Sequence, residues 1–140
     1  MPEIDAYKTL HRTVKRGRWI RLENPITPGL PDCLVVIKDP SDEDNTRYTW
    51  LEAKELKFLR RDKVFRINNL RPEQLSEMTR LRLNGARVFI LLHRPRCRWI
   101  IPSSIDNLLA LQLGVDEEWL AAKNVPWQTA LLPEAQGEFW

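Results

Sequence analysis

Two cysteines, two histidines and five glycines among 140 residues exclude several kinds of protein at once. A disulfide-stapled scaffold needs more cysteine than Cys33 and Cys97 supply. With His11 and His93 as the only partners to join them, zinc-site spacing is absent too. Both thiols are therefore expected to be buried and reduced. No stretch approaches the roughly 18–20 apolar residues of a membrane span, and the charged beginning does not read as a signal peptide. The chain is expected to be soluble, cytoplasmic and without a membrane partner. It has no internal repeat and no low-complexity tract.

Net charge is small as well, +3, but it is unevenly placed. Residues 1–102 carry 21 Lys and Arg against 13 Asp and Glu, whereas residues 103–140 carry only Lys123 against six acids. A basic body with an acidic end predicts that phosphate meets the first hundred residues. The acidic segment is left for solvent, a second subunit or a partner. The length suits one domain with a sizeable core.

Ile4, Tyr7, Leu10 and Val14 recur at helical spacing, which predicts an amphipathic first helix over 3–16 with Lys8, Arg12 and Lys15 opposite. Trp19–Leu22 alternates as a short strand and enters a stiff loop bearing Pro25 and Pro28. Cys33–Ile37 and Arg47–Lys54 read as strands, and the acids of the Asp39–Asn45 turn between them are expected to be solvated. A basic stretch over 57–63 precedes a short strand at Val64–Ile67. Pro72 then opens a helix that runs to Asn84 and stops at Gly85. Arg87–His93 reads as a buried strand and Trp99–Ile101 as another. Ser104–Leu113 and Asp116–Lys123 are expected as capped helices, with 124–127 irregular. This order predicts an α/β sandwich, a central mixed sheet flanked by helices. Residues 1–102 form its core, and the acidic 103–140 form a helical C-terminal extension packed on the same domain.

Chemistry concentrates in two short segments. Gly29-Leu30-Pro31-Asp32 stands at the start of one predicted strand, and Leu51-Glu52-Ala53-Lys54 ends the other, twenty residues downstream. Side chains two apart on a strand share a face, so Glu52 and Lys54 point the same way and Glu55 points away. If the strands are hairpin neighbours, Asp32 stands beside them. Two carboxylates and an amine then converge, which suits a divalent cation and a water aimed at phosphorus.

The ordered pair resembles the signature of the PD-(D/E)XK nuclease superfamily, and is similar to its small phage and bacterial VRR-NUC-like and Holliday-junction-resolvase-like members. Arg21-Leu22-Glu23-Asn24, Leu70-Arg71-Pro72-Glu73-Gln74 and Asn84 to Leu91 extend the likeness over about half the chain. The resemblance implies a restriction-endonuclease-like fold and a Mg²⁺-dependent DNA endonuclease, with Mn²⁺ as a substitute. It implies Asp32, Glu52, Lys54 and Gln74 as catalytic residues. Asp32, Glu52 and the Ala53 carbonyl would be metal ligands, with a further acid from Glu23, preferred over Glu3. It also points to a bacterial cell or phage-infected host and to a homodimer; the acidic segment 103–140 and the basic-acidic split leave open a helicase or recombination partner.

Basic residues for DNA are expected in two patches, Arg12, Lys15, Arg16 and Arg18, and Lys57, Arg60, Arg61 and Lys63; Arg94, Arg96 and Arg98 form a third cluster. Phosphate contacts of this kind carry no sequence information, and nothing resembles a recognition helix. Cutting is thus expected to follow the structure of branched, flapped or junction DNA. The competing reading is a module that binds DNA without cutting, or cuts only with a partner. His93 reads as structural, at a strand end.

Overall fold

The computed structural model describes residues 3–14, 17–22, 29–68 and 70–133, without the side chains of residues 3–5, 13 and 43. The chain runs α1 (Glu3–Thr13), β1 (Arg18–Arg21), β2 (Cys33–Asp39), β3 (Asp42–Leu59), β4 (Val64–Ile67) and α2 (Pro72–Leu83). It continues through β5 (Arg87–Arg94), β6 (Cys97–Pro102), α3 (Ile105–Leu113), α4 (Glu117–Lys123) and α5 (Trp127–Leu131). Across the sheet the order is β1-β2-β3-β5-β6, with β4 paired to the far end of β3. β3 and β5 are parallel, and the other neighbours are antiparallel. The architecture is the mixed sheet flanked by helices that the order of elements predicts.

Strand alternation builds a core on each face. Cys33, Val35 and Ile37 point to one side, where Ala6, Tyr7 and Leu10 of α1 and Leu131 of α5 cover them. On β5 every residue from Val88 to His93 is buried, because a central strand covered on both faces has no solvent side. Phe89 and Leu91 join the α1 side, while Val88, Ile90 and Leu92 meet Met78 of α2, Leu108 and Leu111 of α3 and Leu120 of α4. Helices after Pro102 thus contribute to both cores.

Four sequence expectations change. β3 runs well beyond Arg47–Lys54 at both ends, because β2 pairs with its first part and β4 with its last. Asp39 is not a solvated tip acid. It is fully buried and accepts hydrogen bonds from the Ser41 amide and hydroxyl and from Asn45, which closes the turn from within. Cys33 is buried as expected, but Cys97 is exposed at the start of β6. A five-residue helix, α5, begins inside the segment read as irregular and is too short to show a helical period. Its last carbonyls, at Thr129, Ala130 and Leu132, accept from Arg47 and Arg87, two cations far away in sequence.

Candidate active site

Glu52 and Lys54 stand on the β3 face that α2 covers, 1% and 7% exposed. Their register partners on β5 are Ile90 and Leu92, both fully buried. Charges beside such an apolar wall are less screened than in water. Gln74, on the first turn of α2, bridges them. Lys54 Nζ donates to its Oε1 at 3.1 Å, and its Nε2 donates to Glu52 Oε1 at 3.0 Å. The same Oε1 accepts from the Arg71 amide at 3.0 Å, which is half of a capping box. An amide suits this place because it offers donor and acceptor together. One side chain therefore sets the start of α2 and the spacing of the two charged groups.

Asp32 arrives from β2. Cys33 pairs with Leu51, so one further register step sets Asp32 across from Glu52. Its carbonyl accepts from the Leu22 amide at 2.8 Å, which ties it to the end of β1. Gly29 brings the chain to this point with φ +89°, pressed against the start of α2. A Cβ there would lie 3.0 Å from the Gln74 amide nitrogen and closer still to the Glu73 carbonyl. Gly29→Ala is expected to cost at least about 1–3 kcal/mol from the backbone conformation alone, with the clash added. Chemical denaturation measures the loss; a midpoint equal to wild type would show that the close approach is dispensable.

The Asp32 carboxylate is held by a residue that sequence reasoning placed in the core and no further. Tyr7 OH donates to Asp32 Oδ2 at 3.3 Å, shares its proton with the Leu51 carbonyl at 3.2 Å, and accepts from the Ala53 amide at 2.8 Å. Burial, then the negative charges of Asp32 and Glu52, push the phenol far above its ordinary range, so it stays a donor. The Arg21 guanidinium lies 4.3 Å from the centre of its ring. One signal was available, because a buried tyrosine usually finds a partner for its hydroxyl. Which partner was not legible. Tyr7→Phe is expected to destabilise the fold by about 1–3 kcal/mol, since the Ala53 amide loses its acceptor. It should also weaken divalent-cation binding about 10–100-fold, as loss of an outer hydrogen-bond partner does. Unchanged cation affinity in a Mn²⁺ titration would remove the positioning role.

Along an extended strand the N–H and C=O of one residue project to the same edge. Since the Ala53 amide reaches Tyr7 at the edge where β2 ends, the Ala53 carbonyl projects there too, on the Asp32 side. Asp32, Glu52 and this carbonyl are hard oxygen donors, and Mg²⁺ or Mn²⁺ takes one or two carboxylates with waters and phosphate completing its shell. The residues fit such an ion. Glu23 and the Glu3 side chain lie outside the described residues, and among the described residues no three His, Cys, Asp or Glu form a metal-binding group. Cys33, next to Asp32, has its thiol pushed up to about 11, chiefly by burial, and serves packing rather than chemistry.

The expected DNA-contacting residues divide. Arg12 is exposed on α1, and Arg18 is exposed at the far end of β1 from Asp32. Lys15 and Arg16 lie outside the described residues. Lys57, Arg60, Arg61 and Lys63 are all exposed on the β3–β4 ribbon, which continues past Glu55, the last β3 residue paired with β5. Lys57 stands roughly 10 Å along the strand from Lys54. It directly opposes Arg66, also exposed, which sequence reasoning missed. Like charges across a ribbon repel, so an anion between them is favoured. Phe65 and Val115 exchange backbone hydrogen bonds of 2.7 and 2.8 Å, which tie β4 near the ribbon tip to the segment after α3.

No family model matches the chain, and no curated protein matches it. Among solved structures, it is similar to Hjc, a Holliday junction resolvase from the archaeal hyperthermophile Archaeoglobus fulgidus. Identity is 20% and the TM-score 0.47, over 85% of this chain and 97% of that one.

Proposed function

We propose that this chain is a metal-dependent DNA endonuclease that hydrolyses phosphodiester bonds and selects branched, flapped or junction DNA by shape. The observation that carries the proposal is the hydrogen-bonded series Glu52–Gln74–Lys54 on one strand face, with Asp32 one register step beyond the β2–β3 pairing. Asp32, Glu52 and the Ala53 carbonyl would hold Mg²⁺, or Mn²⁺ in its place, with Glu23 as the further acid. Such an ion, when bound, supplies an acidified water and neutralises charge on the phosphoryl oxygen. The chain's own groups do the rest. Lys54 keeps its ammonium where the attacked phosphate gains negative charge. Gln74 holds that ammonium and the Glu52 carboxylate at one spacing, and Tyr7 keeps Asp32 turned toward the strand edge.

The basic ribbon supports DNA as the partner, through phosphate contacts whose affinity falls steeply with salt. A homodimer belongs to the same proposal. Ile105, Leu109 and Leu113 form an exposed apolar stripe along α3 that a second copy would cover. Among the described residues no helix is long and apolar enough to cross a membrane.

Cleavage of labelled linear, single-stranded, flapped and four-way-junction DNA, with Mg²⁺, Mn²⁺ or EDTA, tests the reading. Cutting that requires the metal, prefers a branched substrate and disappears in Asp32→Ala is the expected result. Binding without cutting in every condition overturns the enzyme reading, in favour of a module that acts with a helicase or recombination partner.

A further inference from the structure

A second polar site lies on the opposite face of the sheet. α1 and the β5–β6 turn enclose a cavity of about 220 Å³ bordered by Ala6, Thr9, His93, Arg96 and Arg98. His93 is 1% exposed, and neither of its ring nitrogens has a hydrogen-bond partner among the described residues. Buried polar groups are nearly always satisfied, so a ring in this condition calls for a ligand that completes it.

The surroundings state which charge that ligand carries. Arg98 is directly opposite His93 in the β5–β6 register and shares its face. Arg96 stands in the turn between the two strands, at φ +66°. Arg94 also borders the cavity, while its guanidinium lies 5.0 Å from the centre of the Phe65 ring. No carboxylate borders the cavity among the described residues; Glu55, the register partner of His93 on β3, is exposed, and its charge also reaches the His93 ring. Burial disfavours the charged form of His93, a cost that an anion beside the ring offsets.

Guanidinium groups match the paired oxygens of a phosphate, and a neutral imidazole adds one ring N–H. We infer that this cavity binds a phosphate group of the nucleic acid, through His93, Arg96 and Arg98, as a positioning site separate from the cleavage centre. The inference rests on the nucleic-acid reading above and adds where a second phosphate goes. His93 is level with Glu55, one residue beyond Lys54, at the carboxyl end of the parallel β3–β5 pair. Open α/β sheets commonly bind ligands at this end. A strand whose scissile phosphate meets Lys54 would pass over the end of the sheet to place another phosphate beside His93.

The test follows the His93 ring nitrogens by NMR in the whole chain as inorganic phosphate is added. Saturable movement of both ring resonances is expected. Arg96→Ala, an exposed position, should weaken phosphate binding about tenfold, the equivalent of one charge-assisted hydrogen bond. A ring that does not respond, or equal affinity in Arg96→Ala, overturns the inference. Paired oligonucleotides with a 5′-phosphate or a 5′-hydroxyl then identify the source. A preference for the phosphate that vanishes in His93→Gln assigns a strand terminus; equal affinities that fall together in His93→Gln assign an internal phosphodiester. Phosphate that moves His93 in a protein unable to cut DNA leaves this site standing and counts against the nuclease reading. Normal cutting with a silent His93 does the reverse.

Discussion

Lys54→Ala is expected to lower single-turnover DNA cleavage by at least about 10²–10³-fold, the loss that follows removal of one preorganised electrostatic contact. DNA affinity should stay within a few-fold of wild type. The division follows from placement. Lys54 is 7% exposed, beside the buried Ile90 and Leu92, so its charge acts at short range in a weakly screening environment. The exposed Lys57, Arg60, Arg61 and Lys63 on the ribbon are the groups that hold DNA at a distance. The variant should fold, because Gln74 Oε1 keeps its hydrogen bond from the Arg71 amide and Nε2 keeps Glu52. Cutting at full rate in Lys54→Ala would sink the mechanism. Equal loss of cutting and binding would place Lys54 in DNA attachment instead.

For Asp32→Ala, both cleavage and tight divalent-cation binding should disappear. Asp32 is one of two described carboxylates at the site, and Glu52 alone, with a main-chain carbonyl, leaves a hard cation underneutralised. The fall in Mn²⁺ affinity should exceed the roughly 10–100-fold that removal of an outer partner produces. Asp32→Asn separates charge from shape, since the amide keeps an oxygen for Tyr7 OH yet carries no charge. It should fold like wild type and bind cations as poorly as Asp32→Ala. Tyr7 itself remains anchored in both variants through the Leu51 carbonyl and the Ala53 amide. Wild-type Mn²⁺ affinity in Asp32→Asn would move the metal site elsewhere.

These two variants and Tyr7→Phe probe different levels of one arrangement. Lys54 acts on charge that develops during reaction, Asp32 on cation binding, and Tyr7 on the orientation of Asp32. Their effects should therefore fail to add when Tyr7→Phe and Asp32→Ala are combined, because the hydroxyl has no carboxylate left to orient.

Local pattern by itself determined much of this chain. Period-two alternation placed Cys33, Val35 and Ile37 on one face, and the same periodicity put Glu52 with Lys54 and turned Glu55 away. Pro72 and the serine and aspartate caps located helix starts, since a helix end exposes backbone amides that only certain neighbours satisfy. Such features depend on residues a few positions apart. Tertiary structure alone decided the rest. Tyr7 meets Asp32 across 25 residues and Ala53 across 46, Gln74 joins Glu52 to Lys54 across 22 and 20, and Arg47 reaches Leu132 across 85. Each contact is chosen by strand register and by the close approach of packed elements. A hydroxyl, an amide or a guanidinium has many chemically acceptable partners in a sequence, and only the packed fold leaves it one.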